Sequence, residues 1–175
     1  MKRYLVAIGL CGVTAACTAP TTVQDNQWRS GVPSSFQYAA IGPVPTVVVG
    51  NPFAIPDADI AQLIAQASAG TYGGSLASFV PSSATTGSRV VWDLSPDVGQ
   101  TGQALCALPL RPATTRTPAT NRVMGAFCSG FMALADATVR LEHAPTGPDN
   151  PEWRRAFPIG LMAMIPRFDP YEDLE

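Results

Sequence analysis

The stretch NRVMGAFC-SG-FMALADATVRL, residues 121–141, decides the fold. Two apolar runs, Asn121 to Cys128 and Phe131 to Leu141, are separated by Ser129-Gly130. A two-residue break with Gly second predicts a tight β-hairpin. The competing reading is a single helix through Val123–Val139, which the Ala-rich segment Phe131–Ala137 favours. Gly125 and Gly130 count against it, because glycine in a helix interior costs about 1 kcal/mol relative to Ala. Two strands are expected, with Asp136 on the second.

Working outward, Ser88 to Leu94 alternates and is bounded by Gly87 and Pro96, as a strand does. Its pleat would turn Val90, Trp92 and Leu94 inward and Val91 and Asp93 to the other side. Val44 to Val49 is β-branched and ends at the turn cluster Gly50-Asn51-Pro52, a further strand. Asp57 to Ala69 reads as a helix with Pro56 before it, Asp59 in its first turn, and Ile60, Leu63, Ile64 and Ala67 on one face. Asn150-Pro151-Glu152 combines an N-cap, a first-turn proline and an acid. Trp153, Phe157, Leu161 and Met164 then recur at helical spacing, with Pro158 expected to kink or split that helix. The order predicts an α+β domain. It would have a small, mostly antiparallel sheet of about four strands with two helices packed on one face.

The start of the chain has a different character. Lys2 and Arg3 precede Tyr4 to Ala16, an uncharged apolar run of 13 residues that ends in Ala15-Ala16 and is followed by Cys17. A membrane-spanning helix needs about 20 apolar residues, so the run reads as a cleaved secretory signal. With small residues leading into Cys17, the segment resembles the lipobox of bacterial lipoproteins. That resemblance implies that Cys17 is lipidated and becomes the first mature residue. It also implies a lipid-anchored, periplasm-facing protein of the cell envelope, and Thr18, where Asp would retain the protein at the inner membrane, leans the address to the outer membrane. The alternative is a plain signal cut after Ala16 or Ala19. The organisation expected is a signal peptide at 1–16, a polar lipidated tether at 17–40, and one α+β domain at 41–175.

Composition narrows the function. Without Lys2 and Arg3 the chain keeps nine basic residues against 13 acidic, a net charge of −4, which does not suggest a nucleic-acid binder. Lys2 is the only lysine. A mature chain without lysine has no Schiff-base or phosphate-loop lysine chemistry. No cofactor is expected, and two Cys and one His do not complete a usual zinc set.

Cys106 and Cys128 flank a Pro-, Thr- and Arg-rich loop. In an oxidising compartment they are expected to pair, the alternative being two buried thiols that act as small hydrophobes. From Val98 to Ala135 the only charges are Arg111, Arg116 and Arg122. This locally basic loop is a candidate contact for anionic lipid or an acidic envelope partner. A Met-rich surface around Phe131–Met132 or Leu161–Met164 is a second candidate contact.

Candidates for catalysis are sparse. His143 is the only histidine, and no nucleophile elbow accompanies it. Asp57 and Asp59 suit helix capping. Asp93 and Asp136 would serve a glycan-cleaving or hydrolytic enzyme if they converged in one cleft. The leading expectation is a non-enzymatic envelope interaction or assembly module. The alternatives are an aspartate-dependent periplasmic hydrolase and a small-ligand-binding lipoprotein.

Overall fold

The computed structural model describes residues 22–28, 32–69, 78–107 and 118–165. The expected signal, Cys17, Arg111, Arg116 and the acidic C-terminal residues lie outside the described residues. The described chain is an α+β fold built on a six-stranded mixed sheet. Its strands are β1 (Thr22–Trp28), β2 (Val44–Val49), β3 (Phe79–Pro81), β4 (Ser88–Asp93), β5 (Arg122–Ser129) and β6 (Met132–Arg140), in the order β1-β6-β5-β4-β2-β3. The helices are α1 (Val32–Ala39), α2 (Asp57–Ser68), α3 (Gly102–Cys106) and α4 (Pro151–Met164).

The expected sheet of about four mostly antiparallel strands is therefore corrected. β1 and β3 extend it at both edges, and β2 runs parallel to both β3 and β4. The three pairings β4–β5, β5–β6 and β1–β6 are antiparallel. Helix α2 follows β2 and leads to a parallel neighbour, because parallel strands need a crossover connection. The folded part also begins upstream of Ile41, inside the stretch expected to be tether. Val32 and Phe36 of α1 are buried in the main core, and β1 pairs along β6.

The hairpin forms one residue out of the expected frame. Ser129 pairs with Met132, leaving Gly130-Phe131 as the two loop residues. Gly130 has φ +59°, and Phe131 is not in the left-handed region. A glycine first and an ordinary residue second is the type II′ pattern, whose twist suits a hairpin. The turn leaves Phe131 at the tip.

One face of the sheet carries the main core. Val48, Val90, Trp92, Val123, Phe127, Ala137 and Val139 meet Ile60 and Ile64 of α2 and Trp153, Phe157 and Leu161 of α4. Trp92–Phe157, Trp153–Phe157 and Phe53–Trp153 stack edge to face with ring centroids 5.1, 4.7 and 5.1 Å apart. Gly125 and Gly160 make this possible: a Cβ on either would come within 3.0 Å of the Trp92 ring. Helix α4 starts as expected, with Asn150 Oδ1 accepting from the Trp153 amide at 3.0 Å, and continues unsplit through Pro158. Asn51 organises the entry to α2. It donates to Ile55 O and to Asp57 Oδ1 and accepts from the Phe53 amide.

The second face is also covered. Val47, Val49, Val91, Met124, Ala126 and Cys128 pack with Leu105 and Cys106 of α3.

Candidate functional site

Sheet register gives the molecule two unlike ends. Strands β2 and β4 start, and the β5–β6 hairpin turns, at one end. Residues 40–43, 85–88 and 129–132 lie there and contain no charge, and Arg89 beside them is buried. Ile41, Phe131 and Met132 are 83, 56 and 44 % exposed at this end. Asp57, Asp59, Asp97, Arg122, Arg140, Glu142, Asp149 and Glu152 lie at or near the opposite end.

Three ties hold the hairpin tip. The first is covalent: Cys106 on α3 is disulfide-bonded to Cys128 on β5, with Cα atoms 5.6 Å apart. The second is Arg89, fully buried on β4. Its guanidinium donates to Gly130 O at 2.7 Å, Gly87 O at 3.2 Å and Cys106 O at 3.0 Å. Burial pulls this guanidinium below the usual arginine range, since desolvation penalises the charged form. Backbone carbonyls, the negative ends of peptide dipoles, surround the charge. Its Nε has no partner among the described residues.

The third tie is Gln103 on α3. Its side-chain amide donates to Phe131 O at 2.8 Å and accepts from the Ala133 amide at 3.2 Å. The β5–β6 register shifts between Phe127 and Cys128, so the ladder is irregular just below the turn. Gln103 supplies a donor and an acceptor to backbone groups beside that irregularity. Helix α3 itself is capped by Thr101, whose Oγ1 accepts from the Ala104 amide at 3.2 Å. The result is a short helix, two turns and a strand fastened into one unit, with Phe131 and Met132 on its outside.

Two shallow clefts lie on the disulfide face, one beside α3 and one beside the loop that precedes it. One, of about 300 Å³, is lined by Gln27, Thr101, Gln103, Leu134 and Asp136. The other, of about 310 Å³, lies between Asp97, Gly99 and Gln100 on one side and Arg122, Met124 and Thr138 on the other.

The candidate catalytic residues do not converge. Asp93 and Asp136 share the disulfide face, but register places them two strands apart and two residues out of step. From ordinary strand spacings their Cα atoms are about 12 Å apart. Asp93 is buried and committed to its own loop. Its Oδ1 accepts from the Ser95 amide at 2.9 Å and its Oδ2 from Gln100 Nε2 at 2.8 Å. Gly50, at φ +64°, leaves the space that Oδ1 occupies, since a Cβ there would sit 2.3 Å from it. Asp136 lies beneath Gly102 in the first cleft, and His143 is exposed on the loop after β6. Asp57 and Asp59 stand in the first turn of α2. Among the described residues, no group of three His, Cys, Asp or Glu side chains could hold a metal ion.

Of the candidate partner contacts, Arg122 is half-buried on the rim of the second cleft. Within Leu161–Met164, Leu161 and Met164 are core residues and Met162 is exposed, and Phe131 and Met132 are both exposed. Arg89 and Gln103 were not legible as site residues. The run Val47–Val49, with no polar residue alternating in it, is the one signal of a sheet covered on both faces, and such a sheet buries Arg89. Comparison with known proteins returns no match: no family model, no curated protein and no solved structure. No helix among the described residues is long and apolar enough to cross a membrane.

Proposed function

We propose that this chain is a lipid-anchored protein of the bacterial cell envelope. In this reading it acts by holding a protein partner at the hairpin end of its domain, without catalysis. One observation carries the binding part of the reading. Phe131 and Met132 are exposed on a tip that a disulfide, a buried arginine and a glutamine all fasten. A preorganised apolar tip loses little conformational entropy on binding, which is how a small contact gains affinity. The resemblance of residues 14–17 to a lipobox supports the anchor. Lipidation through several acyl chains is stable where a single chain is marginal.

Two experiments test the two parts. In cells fed labelled palmitate, Cys17→Ala is expected to abolish labelling and to accumulate unprocessed precursor; retained label refutes the anchor. For the tip, a photo-crosslinking residue at position 131 is expected to give a discrete protein adduct that one at the exposed Arg155 position does not. Phe131→Ser with Met132→Ser should remove the association while leaving the melting temperature unchanged. Adducts of equal yield from both positions would end the tip assignment.

A further inference from the structure

The end of the sheet opposite the hairpin carries a juxtaposition that the fold does not require. Arg122 and Arg140 lie directly opposite each other across β5 and β6. Strand alternation puts both on the disulfide face with Met124 and Thr138. Cross-strand like charges are destabilising. The one ion pair found among the described residues joins Arg154 to Asp149, and the side-chain hydrogen bonds at Arg122 involve only its backbone. Arg140 is exposed, and Arg122 opens onto the second cleft.

Acids lie nearby, Glu142 among them, but none forms an ion pair with either arginine among the described residues. Asp93 is held by Ser95 and Gln100. Glu152 accepts from the Glu142 amide, and Asp149 pairs with Arg154, both on the side of α4. Asp97 lines the same cleft as Arg122 and has a partner of its own.

Chain length supplies the second observation. Thr22, the first residue of β1, is the register partner of Arg140 on its other side. Thr22, Arg140 and Arg122 thus form one row across three strands. Cys17 precedes Thr22 by five residues. Fully extended, five residues span at most about 18 Å. Acyl chains on Cys17 would hold this row within that distance of the headgroup boundary, while electrostatic screening acts over about 8–10 Å.

We infer that Arg122 and Arg140 seat on the anionic headgroups of the membrane that holds the Cys17 acyl chains. This rests on the lipoprotein reading above. The planar guanidinium fork matches phosphate oxygens, and two of them side by side gain from an anion what they lose to each other. The contact sets the domain upright. Strand β6 leads from Arg140 to the hairpin over nine residues, so Phe131 is carried about 30 Å from the bilayer.

The test uses the full acylated protein taken from cells and reconstituted into vesicles. One set is pure phosphatidylcholine and the other contains one-third phosphatidylglycerol. A photo-crosslinking residue replaces Thr138, beside the arginines, or Phe131, at the far end. The expected result is about tenfold more lipid adduct from position 138 in anionic than in neutral vesicles, abolished by high salt. Adduct from position 131 should stay low in both. Arg122→Gln with Arg140→Gln should bring the anionic yield down to the neutral level without lowering the melting temperature. Arg122→Lys with Arg140→Lys should keep most of it.

Protein that floats with both vesicle types but whose position-138 adducts ignore lipid charge overturns the headgroup contact and leaves the anchor standing. Protein that floats with neither overturns the anchor, and this inference with it.

Discussion

On one face of the sheet Trp92, Phe157, Trp153 and Phe53 meet edge to face beneath α2 and α4. On the other, the side chains are Val, Ala and Met with one buried arginine, and a five-residue helix is fastened by a disulfide. The first face is closed by the burial of large apolar surface, which is nondirectional and strong. The second offers little aromatic surface and relies on a covalent bond, charge-assisted hydrogen bonds and one amide. The difference teaches where each kind of force is useful. Burial holds the body of the domain, and directional bonds hold the tip whose position has to be fixed.

The largest expected effect lies on the aromatic face. Trp92→Ala should cost about 3–5 kcal/mol, as aromatic truncation in a core does, and chemical denaturation would read it. A loss no larger than that of a surface substitution would mean that the edge-to-face cluster is not the main support. Removing the disulfide by Cys106→Ser with Cys128→Ser should cost about 3 kcal/mol, the chain-entropy value for a loop of this size. The 22-residue sequence separation sets that figure. Adding reductant to the unsubstituted protein should reproduce the loss, and an unchanged denaturation midpoint would show that Arg89 and Gln103 suffice.

Gly125→Ala pushes a methyl toward Trp92 and Met164 and should destabilise by about 1–3 kcal/mol through overpacking. Smallest is Gln103→Ala, expected to cost about 1 kcal/mol. Its informative readout is local: amide exchange at Ala133 should accelerate while exchange in α4 does not. Uniform acceleration would contradict the separate roles assigned to the two faces.

Much of this was legible. The β-branched run of β2, the alternation of β4 and the paired runs of β5 and β6 fall where the residues place them, with the hairpin turn one residue later than expected. So do α2 and α4, because their caps and spacing are strong local signals. What was missed is short or weakly patterned. Strand β1, TVQDNQW, lies at an edge and pairs on one side only, so no alternation of apolar residues marks it. Strand β3 has three residues and α3 five, too few to show a period. The parallel pairing of β2 depends on where β3 and β4 come to rest, and no local residue encodes that.

At the site, the pairing expected of Cys106 and Cys128 is found, since the structure joins them. Asp93 and Asp136 read as chemistry only while their separation was unknown. Arg89 was invisible, because a charge on an alternating strand ordinarily faces water, and only cover on both faces turns it inward.

The disulfide has a consequence in time. In the reducing cytosol both sulfurs are thiols. If the chain is exported as proposed, α3 is held to the hairpin until then by Arg89, Gln103 and the packing of Leu105, and the domain lacks the stability that the bond adds. On the proposed envelope location, this keeps the nascent chain looser while it is threaded through the translocation channel. Oxidation on the far side then locks it, so the same two atoms separate a transportable chain from a finished one.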